Sequence, residues 1–280
     1  DQANQYFKHT SSSAMGNDVA DINNDGLLDV FAVDMLAKNN LRKKVLAPPN
    51  NYQLFKLSDE FGYTYQYMRN TLQINNGKLA NNKQALFSEV SLLSGIAETD
   101  WSWTPSLADF DNDGFRDIII TNGFPKDVTD RDFMAFRAEA ENLAEKTFLL
   151  GQIPEVKISN YAYRNKGNLE FEDVTEKWGM DIPSFSNGAV YADLDNDGDL
   201  DYLVNNINDS AFVFKNNQIE FDKNNESHFL RIKTVGDKSN INGLGAVAIL
   251  EFENGEKMIH ENNPFRGYLS SVEPFMHFGL

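Results

Sequence analysis

Three stretches of this chain repeat one pattern: Asp21-Ile22-Asn23-Asn24-Asp25-Gly26-Leu27-Leu28-Asp29, Asp109-Phe110-Asp111-Asn112-Asp113-Gly114-Phe115-Arg116-Asp117 and Asp193-Leu194-Asp195-Asn196-Asp197-Gly198-Asp199-Leu200-Asp201. The shared form is D-x-[DN]-x-D-G-x-x-D. Packing so many carboxylates into nine residues is costly on its own. Two like charges about 4 Å apart repel by about 1 kcal/mol in water and about 4 kcal/mol at an effective dielectric near 20. A hard divalent cation reverses that sign. Calcium takes oxygen ligands from alternate side chains of a tight loop, and the sixth-position glycine permits the sharp turn. The expected ligands are Asp21, Asn23, Asp25 and Asp29; Asp109, Asp111, Asp113 and Asp117; and Asp193, Asp195, Asp197 and Asp201. A backbone carbonyl from the seventh position (Leu27, Phe115, Asp199) would join each set. The cofactor expected is Ca²⁺, at three sites.

An EF-hand shares the opening of this pattern but needs a Glu at loop position 12. That position holds Ala32, Ile120 and Val204. The residues after each loop, such as Val30-Phe31-Ala32-Val33 and Ile118-Ile119-Ile120-Thr121, are β-branched and aromatic runs of strand length. The loops therefore open into strands. A solvated Asp/Asn/Gly turn would explain one copy but not three in register.

The spacing around the loops is also repeated. Phe87-Ser88-Glu89-Val90 and Phe171-Glu172-Asp173-Val174 precede loops two and three, as Phe7-Lys8-His9-Thr10 precedes loop one. Asn75-Asn76-Gly77 matches Asn165-Lys166-Gly167, and Gly95 matches Gly179. Short strands with regular turn signals predict an all-β fold of radially repeated blades. Two inserts stretch the repeat. Residues 35–67 carry Arg42-Lys43-Lys44, Pro48-Pro49 and an aromatic run from Tyr52 to Tyr67. Residues 127–159 predict a helix, with Phe133, Phe136, Ala140, Leu143, Thr147 and Leu150 at helical spacing, a capping box at Thr129 and Asp132, and a C-cap at Gly151. The inserts are expected to cover blade edges, with a binding face as the sharper reading. Trp101 and Trp103, with Phe185 and Asn187 at the matching places, are expected to pack between blades rather than stack on a sugar ring.

These loops resemble the calcium loops of FG-GAP and VCBS-type repeats, as in the integrin α-subunit β-propeller. Beyond them, His228-Phe229-Leu230-Arg231-Ile232-Lys233, Asn242-Gly243-Leu244-Gly245-Ala246-Val247, Arg266-Gly267-Tyr268-Leu269-Ser270-Ser271 and His277-Phe278-Gly279-Leu280 resemble the ASPIC/UnbV domain, which follows such repeats in cartilage acidic protein and bacterial surface proteins. That stretch reads as a small β-unit with a hairpin turn at Asn254-Gly255. The order of parts is most similar to VCBS-repeat proteins of the Bacteroidota cell envelope. The expected organisation is propeller blades over 1–227, with inserts at 35–67 and 127–159, and an ASPIC/UnbV-like β domain over 228–280.

Net charge is −17, and eleven of the 42 acidic residues are the expected ligand aspartates. Three bound Ca²⁺ would leave about −11, which disfavours nucleic acid, since its binding draws on Lys and Arg. No apolar run approaches about 18 residues, so no membrane-spanning helix is expected. Cysteine is absent. No nucleophile elbow, P-loop, dinucleotide fingerprint or H-E-x-x-H occurs, and His9, His228, His260 and His277 are scattered. No catalytic residue is assigned. The resemblance implies a calcium-binding extracellular or cell-surface module, outer-membrane associated, that binds a glycan or a surface protein. The alternative it carries is a calcium-dependent polysaccharide lyase or another carbohydrate-active enzyme. Removing the two inserts from 1–227 leaves 161 residues, about three blades at about 50 residues each. Closed propellers use about four to eight. The propeller is thus expected to be incomplete, with further blades supplied by a longer polypeptide or a partner chain.

Overall fold

In the computed structural model, residues 2–46, 51–78, 85–221 and 227–280 are described. Pro48-Pro49 lies outside them. A short helix α1 (Ala3–Tyr6) and strand β1 (His9–Ser11) lead into the first sheet, which opens with β2 (Asn17–Ala20) and β3 (Asp29–Ala32). The first insert follows as α2 (Asn40–Val45), α3 (Tyr52–Glu60) and β4 (Tyr65–Tyr67). Strands β5 (Thr71–Lys78) and β6 (Ala85–Glu89) then complete a four-stranded antiparallel sheet in the order β2-β3-β5-β6. The second sheet repeats this plan with β7 (Ser102–Ala108), β8 (Asp117–Asn122), β9 (Tyr161–Asn165) and β10 (Phe171–Asp173). Between β8 and β9 the second insert forms α4 (Arg131–Ala140) and α5 (Lys146–Gly151). The third sheet has three described strands, β11 (Ser186–Ala192), β12 (Asp201–Asn206) and β13 (Phe212–Phe214), followed by α6 (Gln218–Phe221). Each Asp-rich loop joins the first and second strands of its sheet.

These sheets are propeller-like blades stacked face to face, and among the described residues they do not close into a ring. Strand pleating puts alternate residues on opposite faces, so each blade has two rows to cover. Phe31 and Leu72 of blade one pack on Leu107, Ile118 and Tyr163 of blade two. Ile119 and Ala162, on the other face of blade two, pack on Tyr191, Tyr202 and Val204 of blade three. Blade two is thus covered on both sides, and every residue of β7 and β8 is buried.

The C-terminal part forms β14 (Phe229–Lys233), β15 (Val247–Glu251), β16 (Lys257–Glu261), β17 (Phe265–Arg266), β18 (Ser270–Ser271) and β19 (Phe275–Gly279). The β15–β16 hairpin turns at Asn254-Gly255, with Gly255 at φ 89°, as its sequence predicts. Strand β19 pairs antiparallel with β14. The β17–β18 turn reaches the first strands of all three blades. The Gly267 amide donates to the Asn17 carbonyl, Tyr268 N–H to Thr104 Oγ1, and Ala189 N–H to Ser270 Oγ. Arg266 Nη1 donates to Asp18 Oδ1 at 2.6 Å, with both side chains buried.

The inserts differ in detail from their sequence pattern. The expected single helix over the second insert is two helices. The cap of α4 is Asp130, whose carboxylate accepts from Phe133 N–H, while Thr129 turns back to bond Asp127. Helix α5 ends at Gly151, and Gln152 holds the cap position. Only Phe133 and Leu149 are buried within these helices, while Leu143 between them is exposed. Trp101 and Trp103 are buried against Phe124, Val156 and Tyr268, as expected of packing residues.

Arg266→Ala would leave the Asp18 carboxylate buried without its counter-ion. Such a loss costs about 3–5 kcal/mol, which corresponds to a melting temperature lower by on the order of 10 °C. Asp18→Asn combined with Arg266→Met should recover part of it. Thermal and urea melts of the two variants check this.

Candidate metal centres

The three loops share one backbone course. The fourth residue is left-handed in each (Asn24, Asn112 and Asn196, φ 56°, 55° and 61°), and so is the sixth-position glycine (Gly26, Gly114 and Gly198, φ 85°, 87° and 99°). The glycines also permit close approach. A Cβ on Gly198 would lie 1.8 Å from the Phe229 ring, and one on Gly114 would lie 2.6 Å from the Met258 methyl.

The carboxylates divide into two jobs. The ninth-position aspartates fasten the loop to the blade. Asp29 accepts from Ile22 N–H (3.0 Å) and Asn75 N–H (2.8 Å). Asp117 accepts from Phe110 and Asn165, and Asp201 from Leu194 and Asn216, in the same geometry. One residue thereby ties the loop's second amide to the third strand. The first-position aspartates of loops one and two accept the amides of residues five and six: Asp25 and Gly26 on Asp21, Asp113 and Gly114 on Asp109. The fifth-position aspartates accept the seventh amide in all three loops.

The carboxylates of loops two and three also converge. Carboxylate oxygens of Asp109, Asp111 and Asp117 lie within 4.8 Å of one another, and so do those of Asp193, Asp195 and Asp197. These two groups could hold a metal ion. Loop one carries the Asn23 amide in place of a third carboxylate, and that amide donates to Asp25 at 3.0 Å. The donor chemistry fits a hard cation, since every side-chain donor is oxygen. A further observation agrees: Asp111 Oδ1, Asp193 Oδ1, Asp197 Oδ2 and Asp199 Oδ1 are buried with no hydrogen-bond donor. Buried carboxylate oxygens are ordinarily paired.

Cationic side chains also reach these loops. Arg164 Nε lies 2.6 Å from Asp111 Oδ2 and Nη2 lies 2.8 Å from Asp113 Oδ2. Lys215 Nζ lies 3.0 Å from Asp195 Oδ2, and Arg231 Nη1 lies 2.7 Å from Asp193 Oδ2. Arg164 and Lys215 each stand one residue before the asparagine that bonds the ninth aspartate. Blade one has Ile74 there and no such cation. The motif does not reveal these residues, although the shared position before Asn165 and Asn216 is a signal once the third strands are aligned. The C-terminal strands lie across the loops as well. His277 Nε2 meets Asn112 Oδ1 at 2.8 Å, and Arg116 bridges the Asp21 and Ile259 carbonyls. Burial pulls His277 down to about 4 and His260 well below the ordinary histidine range.

Burial raises the carboxylates. Asp29 is pushed up to about 7 by desolvation, Asp109 to about 7 by desolvation and then by Asp113 and Asp111, and Asp111 to about 6 by desolvation and then by Asp113. Asp199 is likewise pushed up to about 7 by burial.

Against known families, residues 157–204 match the FG-GAP-like repeat and residues 236–280 match ASPIC and UnbV. No curated protein matches the chain. The first match spans the outer strands of blade two, loop three and the first two strands of blade three, and the second spans most of the C-terminal strands. The fold and the matches together define a β-propeller-like protein that carries an FG-GAP repeat and a C-terminal ASPIC/UnbV domain.

A carboxylate raised in the folded state stabilises the fold at low pH and loses that contribution as pH rises through its folded pKa. In a chelator, where no cation offsets the charge, the melting temperature should therefore fall by several degrees from about pH 6 to about pH 8. His277 and His260, depressed in the folded state by burial, oppose this trend in part because their unfolded imidazoles titrate at about 6.5, but the four raised carboxylates outweigh the two histidines. A pH series of melts with and without chelator measures it, and a rising melting temperature in chelator would contradict the charge assignment.

Proposed function

We propose that the protein is a calcium-stabilised, non-enzymatic binding module that works outside the cell, at the cell surface or outer membrane. The observation that carries the calcium reading is the set of buried carboxylate oxygens without donors in loops two and three. Calcium would be held by Asp21, Asn23, Asp25 and Asp29; Asp109, Asp111, Asp113 and Asp117; and Asp193, Asp195, Asp197 and Asp201, with carbonyls of Leu27, Phe115 and Asp199. Its role is structural: it would neutralise the loop that starts each blade's second strand. Millimolar calcium outside cells suits sites of modest affinity. The ninth aspartates would join with oxygens that already accept two amides, which leaves them geometrically fixed. Among the described residues no helix is long and apolar enough to cross a membrane.

The binding face we assign is the open groove between the first insert and blade two, at the end of the strands away from the loops. Arg42 spans it, anchored to Asp100 and Asp127, beside Asn160, Tyr161, Asp173 and Asp181. Amides, carboxylates and one aromatic suit the hydroxyls of a glycan or a polar protein segment. Acids outnumber bases in the groove wall, which weighs against the lyase alternative, because a uronate carboxylate needs surrounding cations.

Calcium titration by calorimetry and thermal melts tests the first part. At free calcium about a hundredfold above the dissociation constant, each site adds about 2.7 kcal/mol, so chelation should lower the melting temperature markedly, with Mg²⁺ a poor substitute. A melt indifferent to chelator would remove the calcium reading. Arg164→Gln frees Asp111 and Asp113 and should tighten calcium at the second loop severalfold, with loop one unchanged. A glycan array and a turnover screen, both in calcium, test the second part. Turnover of any polysaccharide would favour the lyase.

A further inference from the structure

Asparagines stand at the same repeat position in the first two blades. Asn70 comes just before β5 and Asn160 just before β9, each five residues ahead of the asparagine that bonds the ninth-position aspartate. Both are fully buried. Each turns its Oδ1 to the amide five residues past that aspartate. Asn70 accepts from Asp34 N–H at 2.8 Å, and Asn160 accepts from Asn122 N–H at 2.9 Å.

The other ends of the two side chains differ. Asn70 Nδ2 donates to the Ile96 carbonyl at 2.9 Å and to Thr99 Oγ1 at 2.6 Å. Asn160 Nδ2 is buried with no hydrogen-bond acceptor. The reason lies at the Thr99 position. Counting from the matched Gly95 and Gly179, blade two holds Pro183 there, which carries no hydroxyl. Buried amide donors are ordinarily paired, and leaving one unpaired costs about 1–3 kcal/mol.

That donor belongs to the groove beside blade two. Asn160, Pro183 and Arg42 all line it, around a volume of about 1150 Å³. Arg42 contributes a second donor. Its Nε holds Asp100 and its Nη1 holds Asp127, while its Nη2 is buried without an acceptor. The rim has the opposite need. Arg42 is matched by Asp100 and Asp127, Lys157 by Asp209 at 3.3 Å, and Asp173 by Lys38 at 2.7 Å. Glu172, Glu176 and Asp181 are exposed on the groove and make no ion pair among the described residues. Against these three carboxylates, Lys177 is the groove cation left in the same state.

We propose that this groove takes a basic, extended peptide segment. Its backbone carbonyls would accept from Asn160 Nδ2 and Arg42 Nη2, and its Lys or Arg side chains would meet Glu172, Glu176 and Asp181. A polypeptide is the occupant assigned because one chain carries both halves of the match. An extended backbone offers a carbonyl about every 3.3 Å, and its basic side chains bring cations on flexible stems. A neutral glycan supplies acceptors but leaves the carboxylates unmatched. The chain's net charge of −17 adds long-range attraction for a basic partner. The inference rests on the groove as the binding face and narrows what binds there.

The probe is a fluorescein-labelled peptide of alternating Lys and Ala, followed by fluorescence anisotropy against the full 280-residue protein in calcium. It should bind, and its Glu-Ala counterpart should not. Asp181→Asn with Glu176→Gln should weaken binding about fivefold, as expected of exposed ion pairs. Glu139→Gln with Glu141→Gln, the same charge change at the end of α4 and outside the groove, should leave it unchanged. Pro183→Thr returns the hydroxyl that Thr99 supplies in blade one. It should close off Asn160, raise the melting temperature and weaken the Lys-Ala peptide about fivefold, the worth of about one hydrogen bond. Peptide binding that falls equally with the α4 pair, or that Pro183→Thr leaves untouched, would overturn the proposal. A chitosan oligosaccharide or a neutral glycan that binds and is lost on Pro183→Thr, with no binding of the peptide, would overturn the peptide while keeping the groove as the binding face. Binding of peptide and glycans alike that ignores every groove variant would remove both.

Discussion

The ninth-position aspartate of each loop is the constraint on which the rest depends. Asp29, Asp117 and Asp201 are buried, and each takes one amide from its own loop and one from the third strand of its blade. A buried carboxylate without donors would be costly. With two amides it becomes a fixed point that sets where the loop begins and where the third strand passes. The asparagine on that third strand then reaches the preceding blade. A local turn motif is in this way connected to the stacking of whole sheets.

The same loops collect more negative charge than the backbone can satisfy. Amides hold the fifth aspartate in all three loops and the first aspartate in loops one and two, which keeps the carboxylates close instead of letting them separate. Arg164, Lys215 and Arg231 offset part of that charge from outside the loop. Loop one has no equivalent of Arg164, but it carries an amide at the third position and so less charge. The composition of each loop and its surrounding cations vary together, as electroneutrality in a partly desolvated site requires.

The C-terminal strands act as more than an appended unit. Their β17–β18 turn bonds the first strand of every blade, and their β14 and β19 residues cover the loops. A stack of three blades has inner strand edges that need covering. Here Gly267 and Arg266 supply that cover for blade one, with the buried Arg266–Asp18 pair as the anchor. The high burial of β7 and β8 follows from the same arrangement, since blade two has neighbours on both faces.

The repeated nine-residue pattern by itself determined the loop, the glycine and asparagine turns, the strands that follow, and the aspartates that gather in loops two and three. All of these are encoded within about ten residues, where steric and electrostatic rules act locally. Phe87 and Phe171 likewise marked the fourth strands, and Asn254-Gly255 the hairpin. The break in the second insert was not legible, because the apolar spacing runs through Leu143 even though no surface is there to bury it. Neither were Arg164, Lys215, Arg231 and Arg266 as partners of the acidic groups. Those residues lie from about twenty to almost two hundred and fifty positions from the carboxylates they neutralise. Which oxygens stay unpaired, and which apolar rows stay uncovered, depends on how the blades stack. That is a property of the packed molecule, because it follows from distances between segments that the chain order alone does not set.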